Sequence, residues 1–218
     1  MTESIPTRPD TSDMAAVHKV FRFSLASAPD FVGSAAGDDE RRALIVNYYV
    51  NLLSFLEVHH DGEERLVFPL LAERAGDQRA LVEAAAGQHA DVLGLIGAVR
   101  ESIGSWERGG DARAQDVVGS LRALDDVLSP HLDQEEAEIV PLAAQHLTAE
   151  EWGMLPGHAM GNFAGDKIWL VLGLIRENLT QEQRDLMLTH MPPPARQMWE
   201  TMGEASFNDL ITQVRRPN

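Results

Sequence analysis

The chain contains no cysteine, which excludes structural disulfides, thiolate-held metals and cysteine nucleophiles together. Positive charge is scarce. Eighteen Lys and Arg stand against 34 Asp and Glu, leaving a formal net charge of -16. Nucleic acid and anionic membrane surfaces both need basic patches, so neither is an expected partner. Long apolar runs are missing too: the longest, Ile168 to Ile175, falls far short of the ~20 residues that a helix needs to cross a bilayer. Met1 to Asp10 is polar, holds two prolines, and lacks the basic flank and apolar run of a secretory signal. A flexible N-terminus over residues 1–10 and a cytoplasmic protein are the expectations. No stretch alternates in the manner of a strand.

What is present reads as helix. With 218 residues and 44% hydrophobic content, the chain can build one good core. Thr11, Ser12 and Asp13 offer N-caps for a helix to about Ala28, with Val17, Val20, Phe21 and Leu25 as its apolar stripe. Pro29 to Gly37 has the composition of a loop. Asp38-Asp39-Glu40 then places acids in the first turn of a second helix, where they favour its dipole. A break at Ala75-Gly76-Asp77 leads to a third helix ending near Trp106, and Gly109-Gly110-Asp111 to a fourth over about 112–147. Four long helices with short connections predict an antiparallel four-helix bundle over residues 11–147. Residues 148–218 form a C-terminal helical extension, with helices expected over 149–162, 165–178 and 181–190 and one or two more to about Val214. Thr148 and Thr180 have capping-box spacing to Glu151 and Gln183. The extension either packs on the bundle or forms an interface, a homodimer contact included.

Histidine is the unusual residue. Eight occur, at 18, 59, 60, 89, 131, 146, 158 and 190. His59 is followed by Glu63 and Pro69, and His131 by Glu135 and Pro141, at the same spacing. Positions i and i+4 share one helical face, so each motif presents an imidazole and a carboxylate one turn apart. The shift that maps one motif onto the other also places His18 on His89 to within one residue. Each proline lies inside a helical pattern, where it removes a backbone bond and should kink or loosen the helix. The unit is therefore a hairpin carrying one lone His and one His-x-x-x-Glu, and it occurs twice.

Packed face to face, the hairpins would gather His18, His59, His89 and His131 with Glu63 and Glu135. One metal can take His18 and His59, a second His89 and His131, and both carboxylates can bridge. Ligation by N and O without sulfur suits iron, manganese or zinc, and bridging carboxylates in a bundle favour iron or manganese. Ligand positions left open would admit O2, peroxide or NO. A single His-x-x-x-Glu is an ordinary surface pair; two copies with matched prolines and matched upstream histidines are not.

These motifs resemble the hemerythrin-like HHE cation-binding proteins: His18, His59-x-x-x-Glu63 before Phe68-Pro69, His89, and His131-x-x-x-Glu135 before Pro141. The resemblance covers roughly residues 14–147. It implies a four-helix bundle with a non-haem di-iron centre that binds oxygen, senses oxygen or iron, or handles peroxide and NO. Oxygen-carrying members have a second histidine four residues after the third-helix histidine, where this chain has Leu93, so the five-histidine pattern is incomplete. On the fourth helix the carboxylate is Glu135 at i+4, where the carriers have an Asp at i+5.

The remaining candidates have plainer readings. His60 is expected behind the site or in solvent, and Glu64 and Glu136 on an exposed flank. His146 suits a helix C-terminus, while His158 and His190 read as structural or exposed. Tyr48 and Tyr49 read as core. Three functional classes stay open: an O2-binding or sensing protein, a peroxide- or NO-decomposing enzyme, and an iron- or redox-responsive regulator without turnover.

Overall fold

The computed structural model describes residues 8–217; residues 1–7 of the segment expected to be flexible lie outside them. Among the described residues there is no strand, and no helix is long and apolar enough to cross a membrane. The chain is an all-α bundle. Its first half contains α1 (Asp13–Ala26), α2 (Ala28–Gly33), α3 (Asp39–Gly62) and α4 (Phe68–Arg74). The second contains α5 (Arg79–Gly109), α6 (Ala114–Gln134) and α7 (Val140–His146).

Local chemistry explains the boundaries. The Asp38 carboxylate accepts the Arg41 N–H at 2.9 Å and starts α3, satisfying one of the free donors at a helix N-terminus. Helix α5 stops at Gly110, whose φ of 64° is a conformation other residues adopt only at a cost. Asp13 does not cap α1. It accepts instead from the Trp152 indole at 3.1 Å, tying the start of the bundle to the chain beyond it.

One expectation about the backbone is corrected and a second takes a specific form. The segment read as a loop at Pro29–Gly37 is helical through Gly33. Pro29 sits in its first turn, where a missing N–H costs nothing, and Phe31 and Val32 bury. The prolines expected to kink or loosen the helices act through a wider turn. Ahead of each lies a π-helical turn, Glu63–Val67 and Glu135–Ile139. Phe68 donates its N–H to the Glu63 carbonyl and Val140 to that of Glu135, five residues back in both cases. Pro69 and Pro141 cannot donate, and the extra residue per turn absorbs the mismatch.

Apolar packing is divided into two clusters. The larger holds Phe21 of α1, Phe55 of α3, Val92 of α5 and Leu128 of α6. The smaller holds Met14 of α1, Ala85 of α5, and Val67 and Ile139 of the π-helical turns that continue α3 and α6. On every one of these helices the histidines and glutamates of the repeated motif lie between the two clusters. The site is thus a polar layer within an otherwise apolar core.

Beyond residue 148 come α8 (Ala149–Trp152), α9 (Met154–Asn162), α10 (Ile168–Asn178), α11 (Gln181–His190), α12 (Pro193–Met198) and α13 (Glu204–Val214). Both expected capping boxes form, Thr148 with Glu151 and Thr180 with Gln183. Helix α10 packs on α1, α3 and α13, and Leu170, Leu174, Trp199 and Phe207 join the larger apolar cluster. Two buried polar anchors fix this region to α3. Arg41 donates to the carbonyls of Gln213 and Arg216 at 2.7 and 2.6 Å. Asn51 donates to Asp166 at 3.0 Å and accepts the Lys167 N–H at 3.0 Å.

Candidate metal centre

Helix geometry decides which side chains enter the layer. His18 projects from α1, His59 and His60 from α3, His89 from α5 and His131 from α6, and all five are buried. Glu63 and Glu135, each at the first position of a π turn, complete the set and are buried as well. Two groups result. His18, His59, Glu63 and Glu135 form one; His60, His89 and His131 form the other, with potential ligand atoms within 4.8 Å of one another in each.

All six residues singled out in the sequence therefore meet, and a seventh joins them. His60, expected behind the site or in solvent, is 6% exposed and stacks on His89 with ring centroids 3.9 Å apart. Consecutive residues on a helix diverge by about 100°, which argues against two neighbours sharing one narrow face. Here α3 stands between α1 and α5, so His59 turns to His18 (5.4 Å between rings) and His60 to His89 and His131. Leu93, where a fifth imidazole would be sought on α5, is 58% exposed. His60 supplies the fifth imidazole from α3.

The carboxylates span the two groups. Glu135 Oε1 lies 3.2 Å from His131 Nε2 and 3.6 Å from His89 Nε2, while its Oε2 lies 3.6 Å from His18 Nε2. Glu63 Oε2 lies 3.8 Å from His59 Nε2 and 3.7 Å from His89 Nε2. None of these approaches is aligned as a hydrogen bond. The Nε2 atoms of all five histidines, Glu63 Oε2 and both oxygens of Glu135 are buried without a partner. Buried polar atoms of native proteins are nearly always satisfied, and each orphan costs about 1–3 kcal/mol. So many converging on one layer, in two groups, fit the binding of metal cations.

Three of the outward ring nitrogens are held. His18 Nδ1 donates to Glu136 at 2.9 Å, His89 Nδ1 to Glu64 at 3.1 Å and His131 Nδ1 to the Gln88 side-chain oxygen at 2.7 Å. With Nδ1 carrying the proton, each Nε2 turns a lone pair to the centre, the arrangement that fixes metal-binding histidines. Glu64 and Glu136 do lie on an exposed flank, at 50% and 37% exposure, yet each reaches across to a histidine of another helix. A signal was available: both motifs read His-x-x-x-Glu-Glu, with the first Glu inward and the second bound to an imidazole.

Burial sets the charge state. It pushes the His59 imidazole down to about 3, with His18 alongside adding to the effect, drives His60 well below its ordinary value and lowers His18. Burial, then the nearness of Glu135, pushes the Glu63 carboxyl well above its usual range. Neutral imidazoles and carboxylates with no guanidinium among them are the donors a divalent cation requires.

The other histidines stay outside the layer. His158 Nε2 lies 2.9 Å from Asp61, His146 closes α7, and His190 is exposed. Tyr48 and Tyr49 are core residues whose hydroxyls bond to Ser24.

The family model of the hemerythrin HHE cation binding domain matches residues 11–143, more than half of the chain and every residue of the two groups. No curated protein and no solved structure matches.

Proposed function

Because the chain belongs to the hemerythrin HHE cation-binding family, we propose that its polar layer holds two iron ions and meets O2 or a reactive oxygen or nitrogen species. Manganese or zinc can substitute in the same donor set. His60, His89 and His131 would hold one ion, His18 and His59 the other, and Glu63 and Glu135 would bridge. The single observation that carries this reading is Glu135, whose two oxygens face opposite groups and have no other partner. Bound iron would supply ligand positions left open for O2, peroxide or NO.

The chain's own residues do the rest. Burial keeps the His18, His59 and His60 imidazoles neutral and available. Glu64, Glu136 and Gln88 hold His89, His18 and His131 in one tautomer and orientation. Phe21 and Phe68 lie against His59 and His89, with ring centroids 5.4 and 5.2 Å away, and exclude water from the layer. The regulator reading draws on one contact: α10 packs on α1, the helix that carries His18.

Titration of anaerobically ferrous-loaded protein with O2, peroxide and NO separates these roles. A reversible spectral change at one ligand per centre supports carriage or sensing. Consumption of many equivalents per centre supports an enzyme. No response to any of the three would leave the regulator reading and overturn ligand handling.

A further inference from the structure

The outward supports of the histidines are not equivalent. The Glu136 oxygen that accepts from His18 also accepts from Arg22 Nη2 at 3.1 Å. Arg22 is fixed there: its Nη1 donates to the Ser129 carbonyl at 3.0 Å and its Nη2 lies 2.8 Å from Asp133. It thus pins α1 to α6 and, shared with Asp133, offsets part of the charge on the carboxylate behind His18. Glu64, behind His89, has no such partner: among the described residues no Lys or Arg lies within ion-pair distance of it, and neighbouring Arg65 is engaged with Asp61 at 2.6 Å. Behind His131 stands a neutral amide chain, from Gln88 to Gln134 at 3.0 Å.

A carboxylate accepting Nδ1–H makes the imidazole a more basic ligand. A guanidinium on the same oxygen takes part of that effect away. Apart from His60, the repeat is symmetric in its donors and asymmetric in what stands behind them.

We propose that Arg22, through Glu136, and Glu64 are positioning residues that make the two halves of the centre electrostatically unequal, with the His18/His59 half the less electron-rich. The inference rests on the metal-centre reading above and adds which ion is the harder to oxidise. Neither residue touches a metal position; each acts through a histidine.

The test compares wild type with R22Q, R22K and E64Q, each loaded with iron anaerobically, by one-electron midpoint potentials. Arg22→Gln returns charge to Glu136, so the higher of the two potentials should fall. Glu64→Gln removes a charge behind His89, so the lower of the two should rise. Arg22→Lys, which keeps the charge without the fork, should recover most of the wild-type value. Zinc affinity gives a readout free of redox chemistry, and Glu136→Gln and Glu64→Gln should each weaken zinc binding by about 10–100-fold. Contacts that were merely structural would lower stability without moving the potentials in opposite directions. Shifts of the same sign, or none, in protein carrying two irons would overturn this inference alone. A wild type that takes up no iron would overturn the metal-centre reading and this inference with it.

Discussion

Replacing His60 by leucine should move the stability of the metal-free and metal-loaded protein in opposite directions. In the metal-free protein His60 Nε2 is buried and unpartnered, a state that costs about 1–3 kcal/mol. Leucine fills a similar volume and carries no polar atom. Lost with the imidazole is its stacking on His89, which contributes about 0.5–1.5 kcal/mol for an aromatic pair. The net expectation is a gain of about 1 kcal/mol, or a Tm higher by about 2–4 °C for a chain of this size. Loading reverses the order. At a metal concentration of about 1,000 Kd, binding adds roughly 4 kcal/mol to the wild type, about 8–16 °C. Losing one of three imidazoles should weaken that position by at least about 100-fold, the upper end for outer-shell changes. At the same concentration the variant then gains only about 1.4 kcal/mol. Thermal unfolding followed by circular dichroism, with and without zinc, reads both effects. A metal-free Tm several degrees below wild type, together with an undiminished zinc shift, would show His60 to be an ordinary core residue and refute the reasoning.

His59→Ala and Glu135→Ala should each strip most of the iron, while His146→Ala, on a residue outside the layer, should leave it in place; iron analysis of the purified variants decides. Asn51→Ala removes the buried anchor of Asp166 and the Lys167 N–H and should cost about 2–3 kcal/mol, seen as a lower denaturant midpoint with no change in metal per chain. Phe207→Ala, in the cluster shared by α10, α13 and the bundle, should cost about 3–5 kcal/mol. The Glu151 carboxyl is held down at about 2, first by its hydrogen bond from Arg74. A depressed carboxylate stabilises the fold above its unfolded value near 4.5, and that contribution fades as pH falls toward 2. The stability gap between wild type and Glu151→Gln should therefore be constant above about pH 5 and close between pH 4.5 and 2; a gap that widened on acidification would be wrong in sign.

The all-α fold was legible because helical periodicity and glycine breaks mark α3, α5 and α6 plainly, and because two matched motifs make coincidence improbable. What escaped did so for identifiable reasons. The Pro-, Gly- and Ser-rich composition of residues 29–37 resembles a loop, yet Pro29 at a helix start is compatible with α2 and two apolar side chains have a core to enter. The prolines pointed to a disturbed helix, but whether the backbone kinks or widens depends on what its carbonyls meet. His60 was set aside because His59, not His60, reproduces the second motif's distance to its proline. That spacing picks one ligand pair and does not register that α3 has neighbours on two sides of the same layer. Glu64 and Glu136 look like solvated acids because their partners, His89 and His18, are distant in sequence; only the doubled glutamate in both motifs pointed to them.

The most direct test is iron per chain after anaerobic ferrous loading, measured for wild type and Glu135→Ala. Since the two Glu135 oxygens face opposite groups, wild type should hold two irons and the variant should lose both together. A wild type holding one ion or none, or a variant that keeps two, would contradict a centre built from two halves around one shared carboxylate.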